Sequence, residues 1–234
     1  MKDKRWPRLI QSVLVLALPI ALLAANVRIA TGHWFIRWEY GKANFPPDPY
    51  GLSTAERTHL AQVCVYYLAT SADISLLGEL QLPGGEPAFN ARELRHMADV
   101  QIVYNYLMVI GIVAALILVG GITALLVAKY PRHRAPAALL NGSLLTLGLL
   151  GIVGAYMVLN WGDFFTMFHR IFFEGDTWTF PFSDTLIRLF PMRFWIDVAV
   201  VIVGPLIIEA IAIGAIGWMW RRRINSETRY SNPS

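Results

Sequence analysis

The stretch HMADV begins with a histidine, His96, that has acidic residues close to it on both sides along the chain. Glu93 and Asp99 each lie three residues from His96, so on a helix the three side chains can share one face. A histidine with a pKa of about 6.5 can accept or donate a proton at neutral pH. The spacing fits acid–base chemistry, although an exposed histidine hydrogen-bonded to Glu93 is the default interpretation of His96 alone.

A second histidine occurs in a segment with many aromatic residues. His169 precedes Arg170, and Asp184 follows near the start of the stretch DTLIRLF. Phe and Trp side chains favour the interface between membrane and water, so this segment is expected to form short helices at that interface. His169 is then either an interfacial anchor or a second reactive group.

Four long apolar stretches must position these residues. They cover residues 9–30, 100–128, 135–159 and 198–220, and each can cross a bilayer, which needs roughly 20 apolar residues. Of the 234 residues, 56% are hydrophobic and 15% are charged. The sequence predicts an all-α integral membrane protein with four transmembrane helices, organised as a single membrane domain over residues 1–234.

Basic residues predict the orientation of the spans. Three basic clusters precede the first span, occupy the short connection between the second and third spans, and follow the fourth span. By the positive-inside rule these clusters, and therefore both termini, are cytoplasmic. Residues 31–99 and 161–197 are then outer segments, and the net charge of +4 reflects topology rather than nucleic-acid binding. The clusters are Lys2, Lys4, Arg5 and Arg8; Lys129, Arg132 and Arg134; and Arg221, Arg222 and Arg223.

A capping box predicts where the helix that carries His96 begins. Asn90 and Glu93 have the spacing of this motif, and neither Gly nor Pro interrupts the chain between Ala91 and the second span. We therefore expect His96 on a rigid extension of that span. Because a short connection makes the second and third spans neighbours, their outer ends should bring His96 close to His169.

Further helices are expected along the membrane surface. Ser53 and Glu56 form another capping box before a partly apolar run. In the second outer segment, the chain should break at Gly175, Pro181 and Pro191. The single cysteine of the chain excludes an internal disulfide, and we expect it to be a packing residue.

Two blocks of the sequence resemble the signature of a known family. They are RELRHMADVQIVYNYL, residues 92–107, and FHRIFFEGDTWTFPFSDTLIRLFP, residues 168–191. Both closely resemble a bacterial four-span membrane family that includes the lipoprotein intramolecular transacylases. The resemblance implies acyl transfer, at the outer leaflet of the bacterial cytoplasmic membrane, from the diacylglyceryl group of a lipoprotein to the α-amine of its own N-terminal cysteine. It also implies that diacylglyceryl-modified lipoproteins and membrane lipid are the partners, and that His96 and His169 are the family's paired histidines.

This chemistry suggests roles for the residues of the two blocks. An α-amine with a pKa of about 8 must lose a proton before it attacks an ester, and a histidine is a suitable acceptor. The other histidine, when protonated, or Arg170 could donate to the oxyanion, while Glu93, Asp99 and Asp184 could orient the histidines or cap helices. Direct transfer and an acyl-histidine intermediate both fit these residues. No cofactor is expected, because nucleophile and ester belong to one molecule.

Two other classes of protein stay open. A metal-dependent membrane hydrolase would bind zinc through His96, His169 and a carboxylate, but the chain has no compact motif such as HExxH, and we predict no metal. A small ion-coupled transporter would use Glu209, near the middle of the fourth span. Glu209 could instead be a hydrogen-bonded side chain that faces Asn141 or Thr146 on the third span.

Overall fold

Helices form the architecture of the part of the chain that the structure describes. The computed structural model describes residues 5–127, 132–175 and 177–230. Along the chain the helices are α1 (Arg5–Ala30), α2 (His33–Tyr40), α3 (Thr54–Thr70), α4 (Ser75–Gly78), α5 (Ala91–Val127), α6 (Arg134–Leu159), α7 (Trp161–Phe172), α8 (Thr185–Leu189) and α9 (Met192–Tyr230). The predicted all-α fold class is confirmed.

Four of these helices are long and apolar enough to cross a membrane, namely α1, α5, α6 and the part Met192–Ser226 of α9. They correspond to the four predicted spans, and the protein is a multi-pass membrane protein. The 37 residues of α5 measure about 55 Å at a rise of roughly 1.5 Å per residue, against about 30 Å for the hydrocarbon core. The first turns of α5, up to Asp99, therefore extend beyond its apolar part, as the capping box predicted.

Contacts between residues divide the chain into two units. Unit 1 comprises Met1–Asn26, Val109–Leu159 and Val203–Ser234, and unit 2 comprises Val27–Met108 and Asn160–Ile202. Unit 1 holds most of the apolar length of the span helices, whereas unit 2 holds the predicted outer segments and both candidate histidines. The single domain expected from the sequence remains a prediction.

Glu209 has a partner within unit 1 that differs from the expected ones. Asn26 on α1 donates a hydrogen bond from Nδ2 to Oε2 of Glu209 on α9, at 2.7 Å. Thr146 instead donates to the carbonyl of Gly142 in its own helix, at 2.8 Å. The expectation that Glu209 faces Asn141 or Thr146 is wrong, because α1 rather than α6 presents the amide that satisfies this carboxylate.

Unit 2 has a hydrophobic core around α3. Cys64 and Tyr67 of α3 are buried together with Leu77 of α4 and Leu189 of α8. Cys64 is thus a packing residue, as predicted. Burial of apolar surface contributes roughly 25 cal/mol per Å², so this cluster stabilises the short helices α4 and α8, which have too few residues to be stable alone.

The helices expected at the membrane interface begin and end where the sequence indicated. At the start of α3, Ser53 Oγ accepts the N–H of Glu56 at 3.3 Å, and the Glu56 carboxylate accepts the N–H of Ser53 at 2.7 Å. The chain leaves α7 at Phe172, turns at Gly175 with a left-handed φ of +58°, and enters α9 directly after Pro191. The capping box and these breaks are confirmed.

The orientation of the spans can be tested by cysteine labelling. Single cysteines in place of Ser71 and Ser183, which are exposed and lie in the predicted outer segments, should react with a membrane-impermeant thiol reagent on intact cells. A cysteine in place of Ser226 follows the basic cluster of α9 and should react only after permeabilisation.

The unaltered protein is the background control, because its Cys64 is buried. Labelling of Ser226→Cys in intact cells, with no labelling at the other two positions, would reverse the proposed orientation. Three basic residues behind this prediction, Lys2, Lys4 and Lys129, lie outside the described residues.

Candidate active site

The helix α5 brings His96 into the site from a fixed starting point. Asn90 Oδ1 accepts the N–H of Glu93 at 3.1 Å, and Glu93 Oε2 accepts the N–H of Asn90 at 2.8 Å. This reciprocal pair satisfies two backbone donors that the start of a helix leaves without partners. The predicted capping box is confirmed, and it fixes His96 one turn further along α5.

The Glu93 carboxylate also holds a second helix. Its Oε1 accepts the N–H of Leu186, in the first turn of α8, at 2.7 Å. Asp184 occupies the N-cap position of α8 but makes no capping hydrogen bond, and instead accepts one from Asn90 Nδ2 at 3.2 Å. Glu93 is only 2% exposed; this burial raises the pKa of its carboxyl, and hydrogen bonds from backbone N–H groups at two helix starts partly oppose that shift. Glu93 and Asp184 therefore join α5 to α8 instead of hydrogen-bonding to a histidine.

The helix α7 brings the second histidine. It begins at Asn160, whose side chain accepts the N–H of Asp163 at 3.1 Å. His169 is buried in its last turn, whereas the neighbouring Arg170 is exposed. His169 Nδ1 lies 2.7 Å from the carbonyl oxygen of Phe165. Because a carbonyl oxygen only accepts, Nδ1 donates the proton, and Nε2 of the neutral ring keeps its lone pair.

His96 and His169 lie together in unit 2. Their ring centroids are 6.3 Å apart, with an interplanar angle of 23°. His96 is 9% exposed and His169 is 8% exposed. Nδ1 of His96 is buried without a hydrogen-bond partner among the described residues. Two ionisable rings are thus close enough to act on one small group, and they are largely shielded from water.

Aromatic side chains surround the two rings. Phe173 is 4.8 Å from the centroid of His96 and 5.7 Å from that of His169. Phe180 lies 5.3 Å from His96, and Trp178 lies 4.9 Å from His169. From the sequence, Trp178 and Phe173 were expected to pack at the membrane interface or against acyl chains. Their position a few residues after His169, within one sequence block, is the signal that could have identified this aromatic wall.

The apolar surroundings keep both rings uncharged. Burial, with the neighbouring His169, lowers the pKa of His96 to about 4. Burial also lowers the pKa of His169, and the hydrogen bond to the Phe165 carbonyl partly opposes that shift. Both histidines lie outside the spans predicted from the sequence, the second of which begins at Val100 in α5. At neutral pH the pair is therefore neutral, and the lone pair on Nε2 of His169 is available.

A groove of about 310 Å³ adjoins the pair. Phe173, which contacts both histidine rings, is part of its wall, together with Arg95 and Asp99 of α5 and with Glu174. Asp99 therefore lines this groove, and no hydrogen bond joins it to a histidine within the described ranges. Arg95 and Glu174 were not singled out from the sequence. The spacing of four residues between Arg95 and Asp99 on one helix is the signal that could have identified Arg95.

The described residues contain no cluster of side chains suited to a metal ion. No three side chains of His, Cys, Asp or Glu cluster there in a way that could bind an ion. Of the carboxylates named from the sequence, Glu93 already accepts hydrogen bonds from two backbone N–H groups.

Comparison with known proteins extends the resemblance of the two blocks. The family model described as lipoprotein intramolecular transacylase Lit matches residues 12–195. An uncharacterized protein of Aquifex aeolicus (strain VF5) is 32% identical over 190 residues, which are 81% of this chain and 84% of that protein.

Solved structures share the fold. An in meso structure of the membrane integral lipoprotein intramolecular transacylase Lit from Bacillus cereus matches with a TM-score of 0.80 at 22% identity, covering 96% of this chain and 100% of that one. A variant of that protein with one histidine replaced by alanine matches with a TM-score of 0.74, covering 95% of this chain and 96% of that one. The family model matches most of the sequence and therefore shows more than a shared fold. The chain belongs to the lipoprotein intramolecular transacylase family and is a membrane acyltransferase.

Proposed function

We propose that the protein moves an acyl chain from the diacylglyceryl group of a bacterial lipoprotein to the α-amine of the N-terminal cysteine of the same molecule. The amine nitrogen bonds to the ester carbonyl carbon, and the bond from that carbon to the glycerol oxygen breaks. Starting from the ammonium, the nitrogen loses two protons as it becomes an amide: one ends on the glycerol oxygen, and the other is released to water. The observation that carries the proposal is a neutral, buried pair of histidines, His96 and His169, in a member of the transacylase family.

His169 is the general base in this mechanism. Its Nδ1–H is held by the Phe165 carbonyl, so Nε2 is the nitrogen that takes the proton from the substrate ammonium. The same hydrogen bond fixes the ring. It strengthens as the ring becomes an imidazolium, because charge-assisted hydrogen bonds are roughly twice as strong as neutral ones.

His96 assists the developing oxyanion and the departing glycerol oxygen. Its Nδ1 is buried and has no hydrogen-bond partner in the described part of the chain, so no other group of the protein uses its hydrogen-bonding capacity. Burial makes a charged ring unfavourable while the site is empty, whereas the tetrahedral oxyanion provides an opposite charge nearby. The pair therefore stabilises the transition state more than the resting state.

The reaction needs no second substrate. Because the nucleophile and the ester belong to one molecule, holding the headgroup folded supplies much of the rate advantage. The reaction takes place at the outer leaflet of the bacterial cytoplasmic membrane, with both termini in the cytoplasm. The positions of the basic clusters support this orientation.

Replacing either histidine should abolish acyl transfer. His96→Gln and His169→Gln each remove a proton-transfer group, and we expect a loss of at least about a hundredfold, the lower end of what general acid–base catalysis contributes. Each variant would be expressed in a bacterium that lacks other N-acylation of lipoproteins. Fragment ions of the N-terminal lipopeptide must locate the acyl chain, because the transfer leaves the total mass unchanged.

His59→Gln and Glu209→Gln are matched controls for these variants. His59 is an exposed histidine of unit 2, and Glu209 is the span carboxylate that accepts a hydrogen bond from Asn26. Both controls should keep most of the activity. Undiminished N-acyl product from both His96→Gln and His169→Gln would refute the histidine mechanism. No such product from the unaltered protein would refute the transacylase function.

The uncharged state of the pair predicts a pH dependence of stability. The unfolded chain protonates His96 near its ordinary pKa of about 6.5, whereas the folded protein does so only near pH 4. The contribution of the neutral His96 to the free energy of unfolding is therefore fully present above pH 6.5 and is lost as the pH falls from 6.5 toward 4. His96 should account for a loss on the order of 2 kcal/mol between pH 7 and pH 5.

Thermal unfolding in detergent at both pH values would measure this loss. His96→Gln should flatten the dependence on pH, because its side chain does not titrate, while the exposed-site variant His59→Gln should keep the dependence of the unaltered protein. The same fall in melting temperature for His96→Gln and the unaltered protein would show that His96 is not held neutral.

Acyl transfer should survive the removal of divalent metal ions. The mechanism uses only imidazole groups, so purified protein treated with a chelator should convert a diacylglyceryl lipopeptide at an unchanged rate. Activity that disappears on chelation and returns with zinc would instead support the metal-dependent hydrolase.

A further inference from the structure

The groove beside the histidine pair has a mixed lining that the mechanism leaves unused. Arg95 and Asp99 project from α5, and Glu174 follows α7, while Ile102 and Phe172 add apolar surface. Ile102 and Phe172 are 54% and 46% exposed, so one side of the groove is open to an apolar chain. A groove with one polar and one apolar side fits an amphiphile.

The charged side chains of the groove are free to bind a ligand. Within the described ranges the ion pairs join Lys42 to Glu39 and Asp197, Arg188 to Asp48, and Arg193 to Asp197. Asp99 and Glu174 take part in none of them. Two carboxylates and one guanidinium leave the groove with a net negative charge, which complements a cationic group.

Phe173 connects the groove to the reacting groups. Its ring lines the groove and is also 4.8 Å from the centroid of His96. Asp99 lies one helical turn beyond His96 on α5, and Glu174 directly follows Phe173. A cation held by these two carboxylates therefore occupies a groove whose wall includes Phe173, the ring that contacts both histidines.

We infer that Asp99 and Glu174 bind the α-ammonium group of the lipidated N-terminal cysteine, with an acyl chain along Ile102 and Phe172. This inference rests on the proposed function and adds the residues that recognise the substrate's amine. The amine is mostly protonated at neutral pH, since its pKa is about 8. The carboxylates select and orient the ammonium, and His169 then takes the proton. Asp99 and Glu174 are positioning residues, and their loss should act on KM more than on kcat.

Binding of an unreactive analogue separates this recognition from catalysis. The probe is a cysteinyl peptide that carries two ether-linked chains on glycerol, so that no acyl group can transfer. Its counterpart has hydrogen in place of the α-amine. The unaltered protein should bind the amine form about tenfold more tightly than the desamino form, as expected for a charge-assisted hydrogen bond.

In the double variant Asp99→Asn, Glu174→Gln, the ratio of the two affinities should fall to near unity. The double variant should bind the desamino form as tightly as the unaltered protein does, and this result would show that the groove is intact. Glu86→Gln removes an exposed carboxylate of unit 2 outside the groove and should keep the preference. With the reactive diester, KM of the double variant should rise about tenfold with a smaller change in kcat.

Three results would overturn the inference: no preference for the amine form in the unaltered protein, an unchanged preference in the double variant, or a fall in kcat with KM unaltered. Failure of the proposed function has a different signature. In that case the diester substrate gives no N-acyl product, whatever the diether probe shows.

Discussion

The buried carboxylate of Glu93 is the interaction on which the site depends. It accepts N–H groups from Asn90 and Leu186 and so ties the start of the helix that carries His96 to the start of α8. The described residues 177–184, which provide Trp178 and Phe180 of the aromatic wall, lead into α8 and are thereby fixed at that end. Burying a carboxylate without hydrogen-bond partners would destabilise the fold by several kcal/mol. The buried Glu93 therefore requires that the starts of α5 and α8 both donate to its side chain.

The neutrality of the histidine pair has a chemical cost and a chemical benefit. An imidazole whose pKa is lowered by burial is a weaker base than one in water, so the first proton transfer from an ammonium is unfavourable in the resting site. The low dielectric that causes this shift also strengthens the attraction between an imidazolium and an oxyanion. An oxyanion lies beside the imidazolium only once the tetrahedral intermediate forms, so the charged ring is stabilised only at that stage. Burial also limits water, so that the opposing charges of the transition state are little screened.

Features with a local cause could be predicted from the sequence, and features set by tertiary contacts could not. The four spans and both capping boxes follow from composition and short spacings, which act within one helix. The partner of Glu209 depends on which helix faces it, and Asn26 comes from a span far away in sequence. Asp184 has the residue type and position of an N-cap, but the donor in the first turn of α8, the N–H of Leu186, is bound by Glu93, 93 residues before Leu186. The groove was missed for the same reason, because its wall combines α5 with the chain after α7.

An acyl-transfer site must also prevent hydrolysis of the ester that it activates. A neutral histidine that can take a proton from an amine can equally take one from water, so the base alone does not decide the product. Two factors favour the amine. An intramolecular nucleophile has an effective concentration of about 10⁵ M or more, and Phe173, Phe180 and Trp178 restrict water around the rings. Phe173 contributes to both effects, because it packs against His96 and His169 and also lines the groove proposed to hold the amine. This side chain therefore links water exclusion to substrate position, and water exclusion also depends on the segment that Glu93 fixes at α8.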